Sequence, residues 1–296
     1  MLGESLSLGC ALAWGFSVIL FKRSEAASPY AINLFKNGAA CLLLAVTGWA
    51  IGGHLPLDRS PADWVRIVVS GVLGLAVADT LFLEALRRLG AGMMAILDCV
   101  YAPLVALLSV IFLGERLGLG FAAGAALVVG GLLAATVNDE GLREAAEVAR
   151  TQRGGVLLGL ASIALMAVGM VIAKPVLDRS ELVEATCTRL GAGALSLGLW
   201  VLFRRDRAEI FGIFLPQPVW RRLVPAMFLG TYVSMLLWLG GVKYTSASTA
   251  SVLNQLSVLF TLVFARLWLK ESLSLRKLVG GGASLAGAIL ILLSPR

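Results

Sequence analysis

Residues 118–137 make a run as long as a membrane span without one charged side chain. Residues 71–83 come close to this, with Asp79 as their single charge. A helix of such composition has no polar stripe to turn toward water. The runs are also too long and too evenly apolar for barrel strands. A helical span needs about 20 apolar residues, with about 17 as a lower limit. Ten segments qualify, roughly residues 5–21, 31–51, 65–83, 92–112, 118–137, 155–173, 185–203, 223–240, 247–268 and 279–294.

Composition agrees with this count. Hydrophobic residues make up 58% and charged residues 15%, with a mean hydropathy of +0.88. Soluble domains have about 45–50% and about 25%, so a large soluble α-helical protein is excluded. Residues 5–21 follow Glu4 and precede Lys22 and Arg23. They therefore read as the first span and not as a cleaved leader. The net charge of +7 sits on residues at the ends of apolar runs. Those positions are read by lipid headgroups, not nucleic acid. Cys10, Cys41, Cys99 and Cys187 each lie inside an apolar run with no CxxC pair, which reads as buried free thiols.

The second half repeats the first. Shifted by 156 residues, 85–137 lands on 241–293 without a gap. Leu113-Gly-Glu-Arg-Leu117 falls on Leu269-Lys-Glu-Ser-Leu273, so Glu115 pairs with Glu271. Gly124 and Gly131 fall on Gly280 and Gly287. The first helix pair repeats in a slightly different register: Lys22 on Lys174 at 152, Lys36 on Arg189 and Gly38 on Gly191 at 153. The chain divides into a five-helix repeat at 1–138, a polar linker at 139–154 and a second five-helix repeat at 155–296. Five is odd, so the second copy enters the membrane in the opposite sense. The expected fold is an all-α membrane protein with ten transmembrane helices in two inverted repeats, an organisation typical of transporters.

These residues resemble the drug/metabolite transporter superfamily in its ten-helix form with two EamA-type repeats. The resemblance rests on Ala13-Trp14-Gly15, Lys22, Lys36, Ala85-Leu86 through Gly92, Pro103 and Leu113–Leu117 in the first copy. Lys174, Arg189, Lys243-Tyr-Thr-Ser-Ala-Ser248 and Leu269–Leu273 carry it in the second. It covers essentially the whole chain. Leu259 replaces the helix-4 proline in the second copy and Met166-Ala167 replaces the Trp-Gly of helix 1, so the halves are chemically unequal. The resemblance implies export of small solutes and names no substrate.

Polar side chains inside the spans mark where chemistry is possible, because a charge at the bilayer centre costs about 2.5–3.5 kcal/mol. Asp98 lies mid-span, with Met94, Tyr101 and Val105 on its helical face. It reads as a solute-binding or proton-coupling carboxylate, or as a hydrogen-bonding partner for a neighbouring helix. Its repeat mate is Asn254, on a face with Ala250, Ser257 and Thr261 and with Gln255 beside it. That face serves a polar, asymmetric solute or glues helices together. Asp79 is a further candidate, with an ion pair to Arg87 or Lys36 as its structural alternative. Lys36 and Arg189 lie inside their spans and either snorkel to headgroups or attract an anionic solute group. Trp14 and Trp238, with Tyr232, supply aromatic walls. Trp49, Trp64, Trp200, Trp220 and Trp268 read as interface belts. Glu115 and Glu271 are expected to order the turn into the next helix.

His54 is the single histidine, so HExxH and Cys/His zinc sites are absent. No phosphate-cradling glycine loop occurs either. No catalytic residue, metal or cofactor is implied, and coupling falls to a proton, an exchanged solute or the solute's own gradient. Orientation is contested. The odd-numbered loops and their helix ends hold 17 Lys and Arg against 8 on the other side. The positive-inside rule therefore puts both termini outside, whereas the resemblance implies both inside. The expectation is a multi-pass plasma-membrane secondary transporter of small polar metabolites, such as amino acids, exporting by alternating access around a central polar cavity. A membrane-embedded scaffold or lipid-handling protein is the alternative. The sequence does not choose between a monomer and a homodimer.

Overall fold

Serine and proline set several helix starts. Ser28 accepts from the Ala31 amide at 3.3 Å with Pro29 in the first turn, and Ser60 accepts from Asp63 at 3.2 Å with Pro61 behind it. Each serine satisfies an amide the first turn leaves unpaired, and proline loses nothing there. The computed structural model describes residues 1–22, 27–51, 59–136, 153–269 and 275–293. The linker at 139–154 falls outside these except for Arg153 and Gly154. Glu271 and the turn holding it also lie outside the described residues.

The described elements are helical throughout. In order they are α1 (Leu2–Lys22), α2 (Pro29–Ala50), α3 (Pro61–Gly71), a π-helical segment (Val72–Ala78), α4 (Asp79–Asp98), α5 (Tyr101–Leu113) and α6 (Leu119–Thr136). The second half has α7 (Arg153–Leu177), α8 (Leu182–Leu202), the short α9 (Arg207–Phe211), α10 (Trp220–Met227), a second π segment (Phe228–Val233) and α11 (Ser234–Tyr244). It ends with α12 (Ala247–Asn254), α13 (Ser257–Leu269) and α14 (Leu275–Leu293). Six stretches are long and apolar enough to cross a membrane: Leu2–Phe21, Pro29–Ala50, Pro61–Leu89, Arg153–Leu177, Leu182–Leu202 and Trp220–Tyr244. Tyr101–Leu113, Leu119–Gly131 and Val279–Ile291 are apolar but shorter.

Two expected spans are not continuous helices. The fourth stops after Asp98 and resumes at Tyr101; the ninth stops after Asn254 and resumes at Ser257. Pro103 accounts for the first break, since its ring clashes with the carbonyl four residues back, at Cys99. The second copy has Leu259 there and breaks all the same, through tighter bonds from the Leu256 amide to Leu253 and the Val258 amide to Gln255.

Helix α4 is also not straight. A Cβ built on Gly159 of α7 would meet both Ala85 Cβ at 3.7 Å and Leu97 Cδ1 at 2.8 Å. A straight helix would separate those two residues by about 18 Å. The axis therefore bends sharply between them.

The duplication reappears in local geometry. The π segments begin at Val72 and Phe228, and the breaks follow Asp98 and Asn254, each pair 156 residues apart. Helices α6 and α14 cross antiparallel through small residues. Gly131 approaches the Gly280 carbonyl and Gly287 approaches the Gly124 carbonyl, each so closely that a Cβ would lie 2.5 Å from the oxygen. At the crossing point Ser284 Oγ donates to the Val128 carbonyl at 3.0 Å, again 156 residues away.

Helix ends gather in two groups. Gly3 abuts Thr245, Arg59 pairs with Glu184, Arg179 with Asp63 at 3.0 Å, and Glu115 binds Ala247. At the other end the Arg204 guanidinium sits 4.1 Å over the Tyr30 ring, and Leu89 packs on Gly155.

Candidate functional site

Helix α2 turns Asn33, Lys36 and Asn37 to one side, at the i, i+3, i+4 spacing. All three are buried. Asn33 Nδ2 donates to the Leu75 carbonyl at 2.8 Å and to Thr80 Oγ1 at 2.9 Å; Asn37 Nδ2 donates to Asn33 Oδ1 at 2.9 Å and to Leu75 at 3.3 Å. Leu75 lies in the first π segment, where the wider turn disturbs the backbone ladder. The asparagines repair it and so fix the residue that follows, Asp79. Lys36 Nζ forms an ion pair with Asp79 Oδ2 and donates to Asn37 Oδ1 at 3.2 Å. Lys36 is 6% exposed and does not snorkel to headgroups. Of the two partners expected for Asp79 it takes Lys36, while Arg87 pairs with Glu84 at 2.7 Å.

Arg189 holds the matching place on α8 and is 3% exposed. Its Nε donates to Ser70 Oγ at 2.8 Å, and Ser70 in turn donates to the Gly169 carbonyl at 2.6 Å. Nη1 lies 3.8 Å from Met235 Sδ. Glycine makes the space: a Cβ on Gly74 would come within 2.8 Å of Nη2. Among the described residues no carboxylate pairs with Arg189 within 4.0 Å. Tyr101 and Asp79 lie within electrostatic reach of it.

The two helix breaks face each other. Gln255 Nε2 donates to the Asp98 main-chain carbonyl at 2.6 Å. That carbonyl belongs to the last turn of α4, where no helical amide follows to take it. The Asp98 carboxylate itself is half-buried and has no hydrogen-bond or ion-pair partner among the described residues. Asn254 Oδ1 is buried and likewise unpartnered. Glu115 departs from the expectation that it orders its own turn. It crosses to the other half and caps α12, accepting from the Ala247 amide at 2.8 Å, the Ser248 amide at 3.3 Å and Ser248 Oγ at 2.6 Å.

Met94, Tyr101 and Val105 share one buried cluster with Ala250, and Trp238 packs against it with its ring 6.1 Å from Tyr101. Ser257 is buried beside Asn254 in sequence. Trp14 does not join Trp238; with Tyr232 it packs on a second cluster, 6.3 Å from Phe21. Met235 touches both clusters. Trp49 and Trp200 are exposed, as belt residues would be, but Trp220 is anchored by a 2.8 Å bond from Nε1 to Ile213. The sequence reading passed over Asn33, Asn37, Ser70 and Met235. The Asn33/Lys36/Asn37 spacing was the available signal for the first two. A groove of about 320 Å³ opens elsewhere, between Pro103 and Ala106 on α5 and Ala125 and Val129 on α6, and its lining is apolar.

A WAT1-related chloroplastic protein of Arabidopsis thaliana is 24% identical over 290 residues, covering 94% of this chain. The chain spans 66% of that relative's length, just under two thirds. A Streptantibioticus cattleyicolor protein named "Probable terminal-alkyne amino-acid exporter" is 26% identical over 263 residues, covering 88% of this chain and 82% of its own. A solved crystal structure has the same fold, with a TM-score of 0.80 at 18% identity over 98% of this chain and 96% of that one. The EamA-like transporter family matches residues 1–137 and again 153–293, and the chain, a multi-pass membrane protein, belongs to that family.

Proposed function

We propose that the chain is a secondary-active transporter of small polar metabolites, amino acids or related compounds, exporting them across the plasma membrane by alternating access. The observation that carries this reading is the pair Asp98 and Asn254. Both end half-helices at equivalent breaks, and neither side chain has a partner among the described residues. A scaffold would gain from packing such groups against donors, since an unmet buried acceptor is costly. A transporter needs them unmet until solute arrives.

Ten crossings in two inverted five-helix repeats are part of the proposal. The bend in α4 and the two groups of helix ends support them. The antiparallel, reciprocal contacts of Gly124 with Gly287 and Gly131 with Gly280 support an axis lying in the membrane plane. An axis normal to the membrane would bring equivalent helices together parallel. The relative named as an amino-acid exporter supports the solute class.

Reconstitution tests the function. Proteoliposomes loaded with a labelled mixture of protein amino acids should lose label faster than protein-free liposomes. Equal loss for every amino acid and for a panel of polar metabolites would reject the proposal.

A further inference from the structure

We infer that Arg189 is a subsite for the carboxylate of an α-amino acid, left open because Met235 stands where the first half places a counter-ion. The inference rests on the solute-transport reading and narrows it.

The two halves can be compared group by group. Lys36 corresponds to Arg189, and the π segments fix the register that sets Asp79 against Met235, 156 residues on. In the first half the cation meets a carboxylate, Lys36 on Asp79. In the second half the geometry is kept and the chemistry is not, for Arg189 Nη1 faces Met235 Sδ at 3.8 Å. A thioether is a weak acceptor and carries no charge. The Ser70 hydroxyl satisfies Nε alone.

A buried guanidinium without a counter-ion is among the costliest groups a protein can hold, and arginine does not escape by losing its proton. Its planar fork matches the two oxygens of a carboxylate. A single arginine with Asp79 within electrostatic reach suits a monoanion better than a phosphate dianion. Tyr101 lies within electrostatic reach of both Arg189 and Asp98. Tyr101, with the Trp238 ring 6.1 Å from its own, is therefore placed for the body of the same solute.

The test restores what the second half lacks. Met235→Asp should give Arg189 an internal partner, raise the melting temperature of the ligand-free protein and weaken amino-acid binding about tenfold or more. The probes are the protein amino acids and their decarboxylated amines, read by thermal shift of the purified protein. In the wild type the amino acids should raise the melting temperature and the amines should not. Gly74→Ala, which presses a methyl onto Nη2 without adding charge, should weaken the same binding and serves if Met235→Asp does not insert. Equal shifts from amines and amino acids, or undiminished amino-acid binding in these variants, would overturn the subsite while leaving transport standing. No shift from any probe, together with no flux in proteoliposomes, would overturn the transport reading and the subsite with it.

Discussion

Gln255 donates its side-chain amide to the main-chain carbonyl of Asp98 at 2.6 Å, so the break in one half is tied to the break in the other. Gln255→Leu keeps the volume and removes the donor. The Asp98 carbonyl is then left unpaired away from water, at a cost of about 1–3 kcal/mol. The expected outcome is a melting temperature lowered by several degrees with membrane insertion unchanged, read by fluorescence-detected unfolding. An unchanged melting temperature would show that the breaks hold independently.

Glu115 makes a second tie, capping α12 from the far half with both carboxylate oxygens. Glu115→Ala should cost about 1 kcal/mol, as loss of a helix cap does. Glu115→Gln keeps one accepting oxygen and should fall between the two. Thermal unfolding of the three proteins side by side checks that order.

Much of this architecture was legible in the sequence, and the reasons are physical. Spans announce themselves by length and apolarity, and α1, α2, α6, α7 and α8 lie within a few residues of the expected segments. The 156-residue register read over residues 85–137 and 241–293 relates the breaks after Asp98 and Asn254, and the starts of the two π segments, outside that stretch, keep the same spacing, because glycines and turn residues keep the backbone's demands after other side chains have drifted. What the sequence hid was interaction across the halves. Nothing local says that Glu115 reaches Ala247, and for Asp79 the sequence left a choice between Arg87 and Lys36. Pro103 was a visible signal for the break at Asp98; nothing comparable marks the one at Asn254.

Asp98→Asn tests coupling. The second copy already carries the amide Asn254 at the equivalent break, so the variant should fold and insert. Flux in proteoliposomes with an imposed pH gradient should fall or lose its dependence on the gradient. Wild-type flux with a wild-type pH response would reject the coupling role.

Cys41 on α2 and Cys187 on α8 bring their sulfurs to 3.9 Å, each thiol also reaching the other's main-chain carbonyl. Mild oxidation with copper-phenanthroline and oxygen should join them, with each thiol giving up one proton and one electron to the oxidant. Denatured protein should then take up maleimide at Cys10 and Cys99 but not at Cys41 and Cys187 until it is reduced. Labelling at Cys41 and Cys187 that survives oxidation would contradict the close packing of α2 on α8.

In the proposed alternating access the polar centre opens to each side of the membrane in turn. Its most direct test is a single cysteine at Ser257, immediately after the second break, in a protein with its four native cysteines replaced. A membrane-impermeant methanethiosulfonate reagent is applied from the outside of cells and, separately, from the inside through inverted vesicles. The account predicts reaction from both sides, slowed by amino acids that bind. Reaction from neither side, or from one side alone whatever solute is present, would contradict it.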